Sequence, residues 1–149
     1  SPANVNEVVG NSVMYFRTRI PRNVTLSYNG LAIAPVQAMI NGALFEWVVE
    51  NLLKNSLDAL QGQGEIDVRI SDDLEWVYID VKDTGKGIPK SNFKRIFEPG
   101  FTTKTRGWGL GLSLSRRIVE EYHKGRIYVV DSEPGRGTTI RIALRRLYV

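Results

Sequence analysis

Three polar side chains on one predicted helix have the types and spacing of a metal site. Asn51, Asn55 and Asp58 fall within a helical pattern over residues 42–62, and at about 100° per residue they share one narrow face. The apolar arc of this helix begins beside that face, so the three side chains lie at the rim of a buried surface. Side-chain oxygens so placed suit Mg²⁺, which takes one or two protein ligands together with waters and phosphate. Ordinary solvated amides also explain two asparagines taken alone.

A glycine-rich loop follows the second of two adjacent predicted strands. It begins with Asp83 and contains Gly85 and Gly87 before Pro89. Glycines permit positive φ and a close approach of the backbone to a ligand. An aspartate at a strand end, held partly out of water, can accept a hydrogen bond from an exocyclic amine such as that of adenine. A plain turn that contains Asp and Gly is the alternative.

A second glycine-rich run opens a strongly amphipathic helix. Residues 107–112 are Gly-Trp-Gly-Leu-Gly-Leu, and glycines at a helix entrance expose backbone N–H groups that favour an anion. Lys104 and Arg106 precede the run and are placed to meet phosphate charge, although a solvated loop also explains them. The run lacks the spacing of a Rossmann site, and the chain contains no Walker A sequence. A nucleotide site here is therefore of another kind.

The elements that must position these residues form one predicted domain over residues 1–149. Apolar residues recur with a helical period over residues 4–20, 42–62 and 110–124, and a short helix is predicted at 92–97. Alternating apolar and polar residues predict strands at residues 24–28, 65–71, 75–83, 126–131 and 138–144. Because neighbouring runs are joined by short polar turns, we predict a two-layer α/β sandwich with a mixed, mostly antiparallel sheet packed on three helices.

The composition narrows the classes of function. The chain has no cysteine, which excludes disulfides and thiolate metal sites. No apolar stretch approaches the roughly 18 residues that span a bilayer. The basic residues behind the net charge of +4 are scattered, and charge alone selects no partner. We expect no nucleic-acid partner and no direct membrane contact.

Taken in order, these motifs resemble those of the GHKL superfamily. Its members are gyrase B subunits, heat-shock chaperones, histidine kinases and mismatch-repair ATPases, which share the Bergerat ATP-binding fold. The segments that resemble its N, G1, F and G2 boxes and its final glycine–threonine motif are residues 50–59, 83–88, 95–104, 107–112 and 135–139. The Phe-Glu-Pro-Gly-Phe-Thr-Thr-Lys stretch is most similar to the F box of histidine kinases, and specifically to their catalytic ATP-binding (HATPase_c) domain.

The resemblance implies a role for each matching position. Asn55 would hold Mg²⁺, and Asn51 would contact phosphate and metal and take part in catalysis with Lys104 and Arg106. Asp83 would bind the adenine amine of ATP or ADP. The other residues implied to form the ATP site are Gly85, Gly87, Ile88, Phe97, Thr102, Thr103, Gly107, Trp108, Gly109, Leu110, Gly111, Leu112 and Thr138, the last supporting Asp83 and the base.

The sequence departs from the histidine-kinase pattern in two places. Asp58 stands where many of these kinases have a basic or amide residue, so no phosphate role is assigned to it. The ATP lid, which would hinge at Phe97 and Phe101 and end at Gly107, is short. Trp108 would then cover the nucleotide in place of lost lid contacts, or simply pack on the domain.

The residue at position 51 also bears on the reaction. Superfamily members that hydrolyse ATP vigorously carry a glutamate there as general base, whereas Glu50 lies about 100° around the helix. The resemblance therefore implies transfer of the γ-phosphoryl group to a histidine on a separate, upstream dimerisation domain, in cytoplasmic two-component signalling with a response regulator. The parent protein could be anchored in the inner membrane. His123 is the only histidine, and we expect a partly protonated helix cap there, not a phosphate acceptor.

Two other functions stay open at this point. A GHKL ATPase of the chaperone or repair type would turn ATP over unassisted, but the missing glutamate and the short lid argue against it. A degenerate, non-catalytic scaffold would fail to bind ATP, but the intact Asn55, Asp83 and glycine run argue against it.

Overall fold

A computed structural model describes residues 1–30, 35–101 and 109–148, with Gly109 and Leu110 described by their backbone alone. The α-helices within these ranges are α1 (Val5–Arg17), α2 (Gly42–Leu60) and α3 (Gly109–Arg117). The strands are β1 (Pro2–Asn4), β2 (Val24–Asn29), β3 (Gln37–Met39), β4 (Gly64–Asp72), β5 (Trp76–Asp83), β6 (Arg126–Glu133) and β7 (Gly137–Arg145). Two 3₁₀-helices (Lys90–Asn92 and Arg95–Phe97) and a π-helical turn (Ile118–Tyr122) complete the described structure.

The main sheet has the mixed, mostly antiparallel character that the sequence predicts. Its five strands lie in the order β2-β4-β5-β7-β6. Only β2 and β4 are parallel, and the pairs β4/β5, β5/β7 and β6/β7 are antiparallel. The connection from β2 to its parallel neighbour β4 contains the helix α2, as a crossover between parallel strands commonly does. The helix α1 precedes β2 in the chain.

One face of this sheet and the inner faces of the helices form the core. Alternate residues of the central strands are buried, as the period of two requires for a sheet that is covered on one side. Full burial of each such aliphatic side chain contributes about 1.5–3 kcal/mol relative to exposure. The largest side chains that are less than 2% exposed include Phe45, Leu52 and Leu53 of α2, Ile66 of β4, Ile79 of β5, and Ile142 and Leu144 of β7. The two predicted layers, helices and sheet, are confirmed.

The helix ends follow the capping residues more closely than the apolar period. Asn4 caps α1 by accepting a hydrogen bond from the N–H of Glu7 at 3.2 Å, as predicted. The helix ends at Arg17, three residues before the predicted end at Ile20. Asn41 caps α2 through the N–H of Leu44 at 3.2 Å.

The end of the last helix differs from the prediction. After Arg117 the chain widens into the π-helical turn, and Lys124 takes a positive φ of 54°. The N–H of Gly125 then donates to the carbonyl of Val119 at 2.9 Å, a bond one residue longer than the 6→1 bond of a Schellman motif. Gly125 itself is required by space, because a Cβ there would lie 2.4 Å from the carbonyl oxygen of Ala143.

His123 lies at this helix end, but the expectation of a partly protonated ring is wrong. Its Nδ1 lies 3.0 Å from the carbonyl oxygen of Ile118, and its Nε2 accepts the backbone N–H of Asn41 at 3.1 Å. A ring nitrogen that accepts a hydrogen bond carries no proton, so the ring is neutral with its proton on Nδ1. The ring is 7% exposed and packs on Phe45, with centroids 5.4 Å apart. His123 therefore joins the end of the π-helical turn to the start of α2.

Two short features escaped the sequence prediction. In place of the predicted helix at residues 92–97 the chain forms two short 3₁₀-helices, Lys90–Asn92 and Arg95–Phe97. The strands β1 and β3 pair antiparallel, with Asn4 opposite Gln37. Gln37 also bridges to Leu147, whose N–H donates to the Gln37 carbonyl at 2.8 Å. β3 thus pairs with both ends of the described chain.

Candidate functional site

Asp83 ends β5 and extends its buried row into the space beside α2. The alternation that buries Val77, Ile79 and Val81 places the carboxylate on the same face, where it is 5% exposed. It accepts the N–H of Gly85 at 2.9 Å. Burial raises the pKa of Asp83, and the Gly85 N–H, with the Ser56 hydroxyl and the Thr138 N–H close by, opposes that rise.

The loop after Asp83 needs its glycines because backbone segments meet there at very short range. A Cβ on Gly85 would lie 2.5 Å from the carbonyl oxygen of Ala59, at the end of α2. Gly87 has a φ of +72°, and a Cβ on it would lie 2.1 Å from the carbonyl oxygen of Glu133. Glycine is therefore required at these two positions because the loop lies against other backbone segments of this chain.

A serine that the sequence analysis missed joins this loop to β7. The Oγ of Ser132 accepts the N–H of Ile88 at 2.8 Å, donates to the Gly137 carbonyl at 3.0 Å, and lies 2.8 Å from the Oγ1 of Thr138. A Cβ on Gly137 would lie 2.0 Å from the Asp83 carbonyl oxygen, so β7 starts directly against the loop. Thr138 reaches Asp83 through its backbone N–H and Ser132 through its side chain. The predicted adenine site is thus one hydrogen-bonded unit.

α2 links this unit to the predicted metal and phosphate residues. Ser56 faces Asp83, while Asn51, on the same helix, donates from Nδ2 to the Oγ of Ser115 in α3 at 3.1 Å. Asn55 lies one turn after Asn51 and is partly buried, whereas Asp58 is exposed. The structure therefore places Asn51 and Asn55 on the same helix as Ser56, the residue of α2 that faces Asp83. No group of three or more His, Asp or Glu residues that could hold a metal occurs in the described ranges.

Ser56 and Ser115 were also missed by the sequence analysis. Both are buried, at 2% and 0% exposure; Ser115 bonds Asn51, and Ser56 lies beside Asp83. Their sequence signal is position: a small polar residue on the apolar face of an amphipathic helix requires a partner. The identity of that partner is not encoded locally, since Ser115 and Asn51 are 64 residues apart.

The predicted lid is described only at its hinge. Phe97 is 4% exposed, and the guanidinium of Arg95 lies 5.4 Å from the ring centroid of the partly buried Phe101. α3 begins with Gly109 and Leu110, and Leu112 is 7% exposed in the core. The predicted ligand-contacting residues Thr102, Thr103, Lys104, Arg106, Gly107 and Trp108 lie outside the described residues.

The sequence of residues 41–147 matches the family described as "Histidine kinase-, DNA gyrase B-, and HSP90-like ATPase". The chain belongs to this family. The match contains every element of the site described above, from the cap of α2 to the end of β7. The family accounts for the order of the motifs, and the mixed sheet with its helical layer is the fold of its histidine-kinase catalytic domains.

Curated relatives of this chain include a sporulation kinase and a nitrogen regulation protein. The chain is 43% identical over 93 residues to sporulation kinase A of Bacillus subtilis (strain 168), covering 62% of this chain and 15% of that protein. It is 32% identical over 152 residues to the nitrogen regulation protein NtrY of Azorhizobium caulinodans, covering 95% of this chain and 19% of that protein. The chain therefore spans less than a fifth of the length of these relatives.

Solved structures of family members have the same architecture over nearly the whole chain. The catalytic domain of the histidine kinase ThkA superimposes with a TM-score of 0.86 at 27% identity, covering 98% of this chain and 95% of that one. The mycobacterial sensor histidine kinase MprB gives a TM-score of 0.83 at 25% identity, covering 100% and 99% of the two chains.

No helix in the described ranges is long and apolar enough to cross a membrane.

Proposed function

We propose that residues 1–149 form one catalytic domain that binds Mg²⁺-ATP and donates its γ-phosphoryl group to a histidine on a separate dimerisation domain. The observation that carries the proposal is the buried carboxylate of Asp83 at the end of β5, which accepts the Gly85 N–H and has the Ser56 hydroxyl and the Thr138 N–H close by. A buried acceptor is costly to leave without a full set of partners. An exocyclic amine of adenine would supply a further donor in this dry setting, where a hydrogen bond discriminates strongly.

The residues around Asp83 fit such a ligand. The Gly85 N–H holds the carboxylate, with the Ser56 hydroxyl and the Thr138 N–H close to it, and Gly85 and Gly87 form the adjoining loop together with Ile88. Asn55 would supply an oxygen to Mg²⁺. Asn51, Lys104, Arg106 and the glycine run 107–112 would meet the phosphates, with Phe97 and the Thr102–Thr103 pair at the lid. When bound, Mg²⁺-ATP supplies the phosphoryl group and the charge neutralisation that phosphoryl transfer requires.

Two features support a donor domain over a hydrolase. Asn51 carries an amide where a general base for water would need a carboxylate, and that amide is already bonded to Ser115. His123 is the only histidine in the sequence, and both of its ring nitrogens are engaged inside the fold. Phosphate therefore has no histidine acceptor on this chain, and the acceptor must come from another domain.

The partners follow from the same division of labour. One structure of the histidine kinase ThkA, with a TM-score of 0.83 at 25% identity, is described as a complex with the response regulator protein TrrA. We propose that a response regulator likewise receives the phosphate indirectly from this domain. ADP would be the product that the domain releases. Since these reactions use ATP, we place the domain in the cytoplasm.

Calorimetric titration of Mg²⁺-ATP into the 149-residue domain tests the proposal. The parent domain should bind, and Asp83→Asn should abolish binding, because an amide presents donors where the adenine amine needs an acceptor. Asp131→Asn, at an exposed aspartate of β6, is the matched control and should bind like the parent. Phosphate transfer to a histidine-bearing dimerisation domain added in trans then tests the reaction.

Each alternative function has its own signature in these experiments. A folded parent domain that binds no Mg²⁺-ATP would support a non-catalytic scaffold. Rapid release of phosphate by the domain alone, without any acceptor, would support a hydrolase of the chaperone or repair type.

A further inference from the structure

The amide of Asn51 is held between two positions of α3. Its Nδ2 donates to the Oγ of Ser115 at 3.1 Å. One turn earlier, Gly111 leaves the space that the amide occupies, since a Cβ there would lie 2.7 Å from Nδ2 and 2.9 Å from Oδ1. Gly111 and Ser115 are four residues apart and therefore share a face of α3. Ser115 therefore accepts the hydrogen bond, and Gly111 leaves the space, that together place the Asn51 amide against α3.

Ser115 is an unexpected residue at this place if packing alone is considered. It is 0% exposed, and the neighbouring buried residues of the same helical segment are Leu112, Ile118 and Val119. Burying a hydroxyl costs free energy unless it is hydrogen-bonded, so an alanine would serve packing equally well. The hydroxyl has a specific partner, and that partner is the residue at the phosphate end of the proposed site.

We infer that Ser115 is a positioning residue: it fixes the side chain of Asn51 so that the remaining amide atoms meet the phosphate and its metal. This inference rests on the proposed function. With Nδ2 bonded to Ser115, the rotamer of Asn51 is fixed before the ligand binds. The entropy lost in ordering this side chain therefore does not weaken the affinity for the ligand. Within the part of the chain that the structure describes, the carbonyl oxygen and the second amide proton of Asn51 make no hydrogen bond.

The same contact ties Asn51 to the helix that follows the predicted lid. α3 begins at Gly109, immediately after residues 102–108, so Gly111 and Ser115 stand in its first and second turns. A shift of α3 would move both the bond and the space that hold the amide. Ser115 thereby makes the orientation of Asn51 dependent on where α3 lies.

Calorimetry with two ligands separates positioning from a structural role. Ser115→Ala should weaken Mg²⁺-ATP binding about fivefold, the effect of one net hydrogen bond. It should leave the affinity for adenosine, which carries neither phosphate nor metal, unchanged. The control is Ser12→Ala, which removes another buried helical serine whose hydroxyl bonds the Val8 carbonyl at 3.3 Å in α1. It should change neither affinity.

A double-mutant comparison makes the test specific. On an Asn51→Ala background, Ser115→Ala should cause no further loss of Mg²⁺-ATP affinity, because its only route to the ligand is gone. If Ser115→Ala folds poorly, Ser115→Cys keeps the side-chain volume with a weaker hydrogen bond and should show the same split at smaller size.

The outcomes distinguish this inference from the proposed function. Equal losses for both ligands, no loss for either, or an undiminished loss on the Asn51→Ala background would overturn the positioning role alone. A folded parent domain that binds no Mg²⁺-ATP would overturn the proposed function, and the positioning role with it.

Discussion

The glycine at position 87 provides the sharpest stability test, because a matched glycine lies beside it in the fold. Gly87 and Gly135 have similar backbone angles, with φ of +72° and +82°. They belong to two loops joined by a hydrogen bond from the Gly135 N–H to the Lys86 carbonyl at 2.7 Å. A Cβ on Gly87 would lie 2.1 Å from the Glu133 carbonyl oxygen, whereas a Cβ on Gly135 would meet nothing within 4 Å.

The expected magnitudes follow from this difference. Gly135→Ala should lower the free energy of unfolding by about 1–2 kcal/mol, the cost of a left-handed conformation for a residue with a Cβ. Gly87→Ala bears the same cost and must also displace backbone, which adds about 1–3 kcal/mol of overpacking strain. The second variant should therefore be the less stable by about 1–3 kcal/mol, and it should also bind Mg²⁺-ATP more weakly because its loop leads to Ile88.

Urea denaturation followed by tryptophan fluorescence measures both free energies in the same buffer. Equal values for the two alanine variants would refute the reasoning, since the backbone angle would then explain the whole effect and the contact with Glu133 none of it. A Gly87→Ala domain that binds Mg²⁺-ATP with parental affinity would separate the loop from the site.

Three further predictions concern charged or titratable groups. Because burial raises the folded pKa of Asp83 above its unfolded value of about 3.9, the folded state holds this proton more tightly. The contribution of Asp83 to the free energy of unfolding should fall as pH rises from about 3.9 through the raised folded pKa. Urea denaturation at a series of pH values measures this, and the same dependence of the unfolding free energy on pH in Asp83→Asn and the parent would contradict it. Arg141 and Asp80 form a two-pronged ion pair at 2.7 and 2.9 Å on the face of the sheet away from the helices. A double-mutant cycle on their Gln and Asn variants should give a coupling of about 1 kcal/mol or less, with Mg²⁺-ATP affinity unchanged. His123→Phe should lower the free energy of unfolding by about 1–3 kcal/mol, because the buried Ile118 carbonyl and the part-buried Asn41 N–H lose their partner. Parental stability of that variant in urea would show that these bonds contribute nothing.

Much of the fold was readable from the sequence because its signals are local. The helical period located α2, the alternation located β4, β5 and β7, and Asn4 was identified as a cap. These signals depend only on residues within one or two turns of each other. The short strands β1 and β3 carry no period at three residues each, so only their pairing in the folded chain reveals them.

Asp83 and Asn51 were singled out from motif and spacing, and their roles toward a ligand stay predictions. The serines beside them were missed, because each lies against a residue distant in sequence. His123 shows the limit of a local argument: the helix end was correctly located, but the neutral ring depends on the N–H of Asn41, 82 residues away.

The pairing of β3 also has a mechanical meaning. Gln37 is bonded on one side to the strand that begins at Pro2 and on the other to Leu147, and β3 leads within two residues to Asn41, where α2 begins. Tension or rotation applied to either end of the described chain would therefore act on the same short strand. A displacement of this strand would in turn move the N-terminus of α2, the helix that contains Asn51 and Asn55.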